Sequence, residues 1–261
     1  MISVAISVPE DGLATWIAAV SNTESIREVE LAAATLQTAK QIDSLLDKNG
    51  LRVAHVRQFL PNGFTRHFLE RIGRSRNSVF IQLKNALTAC RAHGARRVSL
   101  DLQLDQVAGP PAELDTGIRL QVSLIRPLLP TAIETGMTLC IPVRYPYPFP
   151  GSREWAAAEN LVYEIMHPAC RLGLNLFPAE LDAGFDLIPF LRNCFFHLDL
   201  IRLHYSPALG ETLSRPQQEG WADGLRRHGF KGCMVFCPVA SSETGIRDAC
   251  RQVDLLAPLY R

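Results

Sequence analysis

The feature that most narrows the folding options of this chain is an alternation. Short apolar runs rich in β-branched residues recur along its length, and most are followed by a stretch with helical periodicity. The runs are SVAISV (3–8), REVELA (27–32), LRVAHVR (51–57), RRVSLDL (96–102), TLCIPVR (138–144), LGLNLF (172–177), LIRLHYS (200–206) and CMVFC (233–237). Runs of this length read as strands, and strands alternating with helices read as parallel βαβ units. Between them, Ile42, Leu45 and Leu46 form a stripe ended by Asn49-Gly50, and Leu83, Leu87 and Cys90 form another ended at Gly94. Further helical patterns cover 110–136, 152–166, 185–194, 216–229 and 244–259, with Pro127, Pro130 and Pro189 kinking or starting helices where they fall.

About eight strands in 261 residues fit an α/β fold of one closed (β/α)8 TIM barrel, a single domain over 1–261. The competing open, doubly wound sheet would carry a Gly-rich turn after its first strand. VPEDGLATW (8–16) is not such a turn.

The 27 basic and 26 acidic residues give a formal charge of +1 with no block of either sign, so nucleic acid is not an expected partner. MISVAISVP at the start lacks a basic leader region, and no apolar run is long enough to cross a bilayer. The expectation is a cytoplasmic protein with no membrane partner. Seven cysteines, an odd number without a CxxC pair, read as reduced core residues, with Cys237 set apart below.

Alternation also sorts side chains onto faces. In IRLHYSP (201–207), Arg202, His204 and Ser206 share one side, and a charged arginine there must meet water, a partner or a ligand. Val53, His55 and Arg57 are expected to share a side on strand three, Ser99, Asp101 and Gln103 on strand four, and Cys140, Pro142 and Arg144 on strand five. His67, His93, His167 and His228 fall in loops or near helix ends and are read as capping or solvated.

Several stretches, EVEL (28–31), 74–100, GMTLCIP (136–142), LGLNLFPAEL (172–181), IRLHYS and LRRHGFKGCMVFCP (225–238), resemble the xylose isomerase-like superfamily of sugar phosphate isomerases and epimerases, which includes the type 2 apurinic endonucleases. The resemblance implies a divalent metal at the C-terminal mouth of the barrel, held by Glu, Asp, His and Glu on strands five to eight. Carried over position by position, those ligands fall on Pro142, Phe177, His204 and Cys237, with Glu180 and Pro207 three residues beyond the second and third. Pro142 offers no ligand atom, and 137–150 contains no acid. The resemblance also places Glu30, Glu180 and Cys237 at the mouth.

The acids Glu30, Asp101 and Glu180 would then lie near Arg144 and Arg202, either as an internal salt-bridge network or as a ligand site in which a guanidinium supplies the missing positive charge. The expected function is an isomerase- or epimerase-like barrel that has lost most of its metal ligands. It would bind a sugar, sugar phosphate or polyol acid through Glu30, His55, Arg144, Tyr145, Arg202 and Cys237. Turnover is absent or consists of metal-independent proton transfer by His204, Glu180 or Asp101. No cofactor is expected. Alternatives are an active enzyme using Mn, Mg or Zn on unusual ligands, for which His204, Glu180 and Cys237 are the candidate set, and a non-catalytic interaction protein. The aromatic, proline-rich stretch RYPYPFPGSREW (144–155) is expected to overhang the mouth as a carbohydrate lid or to serve as a rigid connector. Relatives commonly dimerise through their helices, which makes a homodimer an expectation from the resemblance.

Overall fold

The computed structural model describes residues 2–38, 41–60, 76–102, 111–145, 154–181, 185–191, 196–209, 211 and 213–261. Eight parallel strands close into one barrel in chain order: β1 Ser3–Ser7, β2 Glu28–Ala32, β3 Arg52–Arg57, β4 Arg97–Ser99, β5 Thr138–Tyr145, β6 Cys170–Leu176, β7 Leu198–Tyr205 and β8 Cys233–Pro238, with β8 pairing back onto β1. The helices around it are α1 Leu13–Ser21, α2 Ala33–Thr38, α3 Ile42–Lys48, α4 Arg76–Ala92, α5 Pro111–Ile125, α6 Leu129–Thr135, α7 Glu154–Ile165, α8 Leu187–Leu191, α9 Arg215–Arg227 and α10 Glu243–Tyr260. No described helix is long and apolar enough to cross a membrane.

Each strand has two faces, and the core divides accordingly. Outward-pointing Val4, Ile6, Val29, Leu31, Val98, Leu139, Ile141, Leu172, Leu174, Ile201, Leu203, Met234 and Phe236 pack against the helices in one large cluster. A second cluster, Ala5, Ala54, Cys140, Leu200, Cys233, Val235 and Cys237, fills the lumen. Small alanines and cysteines suit that narrow space, which is why the cysteines lie buried with free thiols. Buried Tyr260 of α10 donates a 2.5 Å hydrogen bond to Gln218 of α9, tying the last two helices together.

Several boundaries differ from the sequence expectation. The span 110–136 is not one helix: a 3-10 turn, Arg126–Leu128, separates α5 from α6, with a proline at the start of the turn and of α6. Proline fits those first positions because it has no N–H to leave unpaired there. Strand four is confined to Arg97–Ser99, and α1 and α2 were not anticipated. Residues 192–194 of the helix expected over 185–194 lie outside the described residues.

Two register shifts bear on the site. Val29 pairs with Val53 but Glu30 pairs with His55, so Ala54 is an extra residue on β3. The expectation that Val53, His55 and Arg57 share a side is therefore corrected: Val53 joins the outer core, and Ala54 the lumen. A bulge offsets the two-residue period by one. On β7, Leu198 pairs with Leu172 and Leu200 with Gly173, leaving Asp199 as the extra residue. Its carboxylate accepts a 2.6 Å bond from Arg97 Nε, while Ser3 donates to Glu28, whose other oxygen takes Arg52 at 2.9 Å. Polar side chains thus close the N-terminal end of the barrel.

The Arg97 and Asp199 side chains are only 12% and 21% exposed. Asp199→Ala should strip a largely buried cation of its partner and lower stability by about 3 kcal/mol, measurable as a shift in the urea midpoint.

Candidate functional site

At the opposite, C-terminal end the strands deliver a different set of side chains, organised around one carboxylate. Glu30 ends the inward row of β2 and is fully buried. Its Oε1 accepts from Ser7 at 2.6 Å and from Arg202 Nη2 at 2.7 Å; its Oε2 accepts from Arg202 Nε at 2.9 Å and meets His55 Nδ1 at 2.5 Å. Arg57 Nε lies 3.7 Å from Oε1. The Arg202 fork is thus bidentate, the strongest geometry available to a guanidinium and a carboxylate.

Burial pushes the Glu30 pKa up, but Arg202 and His55 outweigh it and hold the carboxyl well below its usual value. Burial in turn lowers His55 despite the adjacent carboxylate. A neutral His55 carrying its proton on Nδ1 donates to Glu30, and its Nε2, 2.8 Å from Ser99 Oγ, accepts from that hydroxyl. The Glu30 carboxylate, both His55 nitrogens and the Ser99 hydroxyl are thus all hydrogen-bonded.

One strand further, Arg202 Nη1 donates to Asn175 Oδ1 at 2.9 Å, and His204 Nε2 lies 3.4 Å from the same oxygen. His204 stacks on Phe177 with ring centres 4.5 Å apart and planes 10° from parallel. The Arg144 guanidinium sits 3.6 Å from the centre of that Phe177 ring, and its Nη2 binds both oxygens of Glu180, at 2.7 and 2.5 Å. Burial, then Arg202, lowers the His204 pKa to about 3, so its imidazole is neutral near neutral pH.

Asp101, just past β4, accepts from the Gln58 backbone N–H, and burial raises its pKa to about 6 against the pull of Arg202. Its Oδ2 is buried without a hydrogen-bond partner. Gln58 follows β3 with φ of 52°, a left-handed conformation uncommon outside glycine, and its side-chain oxygen accepts from Arg57 at 3.0 Å. Cys237 faces the lumen, and burial pushes its thiol up to about 12, far from the thiolate a nucleophile or metal ligand requires.

Of the residues anticipated from the sequence, Glu30, His55 and Arg202 converge directly, and Arg144 and Glu180 form a second pair joined to His204 through Phe177. The zinc set His204, Glu180 and Cys237 is not brought together: among the described residues no three His, Cys, Asp or Glu side chains are placed to hold a metal ion. Glu180 is turned to Arg144 instead. Tyr145 packs against Phe185, ring centres 5.2 Å apart and planes tilted by 31°, while Tyr147, Phe149 and the rest of 146–153 lie outside the described residues, as do His67 and Gln103. Ser99 meets His55 from the side of strand four on which alternation placed it, whereas Ser7, Asn175 and Gln58 were not anticipated as site residues. Asn175, two positions before Phe177 on the same inward row, is the strand-six group that meets Arg202 and His204; alternation alone would have flagged it.

No protein-family description matches the sequence, and no curated protein matches it. Solved structures do match. A D-psicose 3-epimerase from Clostridium cellulolyticum H10, solved with D-tagatose, superposes with a TM-score of 0.67 at 12% identity, covering 100% of this chain and 98% of its own. A 3-keto-D-glucoside 4-epimerase from E. coli gives 0.66 at 13% identity over 96% of this chain and 98% of its own. A family 2 AP endonuclease from Brucella melitensis gives 0.65 at 17% identity over 94% and 96%. The chain shares its closed (β/α)8 barrel fold with these proteins, and identities this low speak to fold alone.

Two outcomes test the site. Glu30→Ala leaves Arg202 buried without its carboxylate and should cost about 3–5 kcal/mol in urea unfolding, whereas Glu180→Gln, at a half-exposed pair, should cost under about 1 kcal/mol. The Asp101 pKa is raised on folding from 3.8 to about 6, so its contribution to stability is present below 3.8 and lost as pH rises through 6. Asp101→Asn should therefore be more stable than wild type at pH 8 by up to about 3 kcal/mol, with the difference vanishing in melts near pH 4.

Proposed function

We propose that this chain binds a small carbohydrate-like molecule, a sugar, sugar phosphate or polyol acid, at the C-terminal mouth of the barrel without a divalent cation. The observation that carries the reading is the Arg202 fork closed on Glu30 and Asn175 in the middle of the mouth. A hard dication needs free oxygen ligands. Both Glu30 oxygens are already occupied, Pro142 has no ligand atom, Cys237 is a buried thiol, and the guanidinium beside them repels a second cation. The residues present do not fit a metal. In this reading the site is a former metal centre in which an arginine supplies the positive charge.

Ligand placement in such a mouth agrees with the general use of this face in TIM barrels. Where proton transfer occurs, Asp101 is the suited base: a carboxyl with a pKa of about 6 exchanges a proton near neutral pH, and Arg57 and Arg202 lie within its electrostatic reach to stabilise developing negative charge. His204 contributes as a neutral hydrogen-bonding group, because an imidazole with a pKa of about 3 does not carry a proton as a cation at that pH. Glu180 orients Arg144. The complete internal satisfaction of Glu30, His55 and Ser99 supports a second reading, an interaction protein whose pocket is filled by its own side chains.

Metal analysis of the purified protein, with melting curves in EDTA, Mn, Zn and a panel of sugars and sugar phosphates, separates the readings. The expected result is substoichiometric metal, no EDTA effect and a raised Tm with a carbohydrate. Stoichiometric metal that disappears in His204→Ala would sink the proposal, and no shift with any compound would favour the filled pocket.

A further inference from the structure

Among the described residues, eight buried side-chain polar atoms have no hydrogen-bond partner, and three of them belong to the mouth: Arg57 Nε, Arg144 Nε and Asp101 Oδ2. Leaving such an atom unpaired forfeits its hydration with nothing in return, so a cluster of them in one site points to a missing partner. Two are donors on guanidinium groups and one is a carboxylate acceptor. Contacts join them to one site: Arg57 Nε lies 3.7 Å from Glu30, Arg202 links Glu30 through Asn175 to His204, and His204 shares the Phe177 ring with Arg144, while Gln58, which bonds Arg57, also donates to Asp101.

The three arginines are not equivalent. Arg202 spends its fork on Glu30 and its remaining nitrogen on Asn175. Among the described residues, the hydrogen-bond acceptors of Arg57 are neutral, the Gln58 side chain at 3.0 Å and the Val8 carbonyl at 3.5 Å, and the Glu30 oxygen 3.7 Å away is already shared by Ser7 and Arg202. Arg144 meets Glu180 through one nitrogen only, Nη2. Arg57 and Arg144 are thus the cations with donors to spare.

Gln58 adds an independent observation. Its backbone, with φ of 52°, is in the left-handed region that a side chain disfavours. In that conformation its side chain accepts from Arg57 while its N–H donates to Asp101, fixing a donor and an acceptor side by side. The Phe177 ring, the aromatic surface on which a neutral sugar would stack, is already engaged by both His204 and the Arg144 guanidinium.

We infer that the mouth selects an anionic hydroxylated molecule, an aldonate-type hydroxy acid or a sugar phosphate, over a neutral sugar, with Arg57 and Arg144 taking the anion and Asp101 accepting from a hydroxyl. This rests on the ligand-binding reading above and sharpens it to a chemical class. No bond is made or broken in it; the charge of the guanidinium groups and the orphaned carboxylate oxygen together define the complement.

The test uses the full chain and three six-carbon probes: gluconate, glucose 6-phosphate and glucitol, followed by calorimetry and thermal shift. At least one anion should bind, with glucitol at the same concentration giving no shift; which anion binds distinguishes carboxylate from phosphate recognition. Arg57→Gln and Arg144→Gln should each weaken the anion at least tenfold. Arg144 is 30% exposed, so its variant retains the fold even where Arg57→Gln does not, and an unchanged urea midpoint checks this. Glucitol binding as well as the anions would overturn the inference and leave the ligand-binding reading standing. Anion binding unaffected in a folded Arg144→Gln would overturn it too, by placing the anion elsewhere. Silence from all three probes would overturn both.

Discussion

The upper half of the barrel depends on the ion pair between Glu30 and Arg202. A carboxylate with no solvent exposure is tolerated only when its charge is matched and its lone pairs are filled, and here a bidentate guanidinium, an imidazole and a hydroxyl do both. The pair spans strands two and seven, so it links opposite walls of the barrel across its axis. His55 extends it to Ser99 on strand four, and Asn175 extends it to strand six and to His204. Remove the carboxylate and each of these groups loses its reason to point inward.

Around that centre the side chains differ in how completely they are used. Glu30, His55, Ser99 and Arg202 are satisfied by one another, which makes them a support. Arg57, Arg144 and Asp101 carry orphaned atoms, which makes them the groups that face something else. The fold is shared with sugar epimerases. The proposed binding of an anion at the mouth rests on these unpartnered atoms and not on the fold.

Much of the architecture was legible in the sequence because periodicity reports burial directly. All eight strand runs are strands, and the barrel closes in chain order. The pairing of arginines with acids at the mouth followed from charge that must be compensated once buried. Less was legible where a single residue changes phase. The bulges at Ala54 and Asp199 shift a strand by one position, and no local propensity announces them. Short polar residues were also passed over: Ser7, Asn175 and Gln58 are individually unremarkable in a sequence, and their importance comes from the partners they meet.

The sequence by itself determined the alternating strands and helices, hence the single closed barrel, and the kinds of charge available to its mouth, because hydrophobic period and residue type are local properties. Tertiary structure decided which arginine is consumed and which is free. That choice depends on closing strand two against strands three and seven, with a bulge that turns His55 and Arg57 towards Glu30, and on the left-handed turn at Gln58 that sets Arg57 beside Asp101. Those are distances between residues far apart in the chain, and only the folded barrel fixes them.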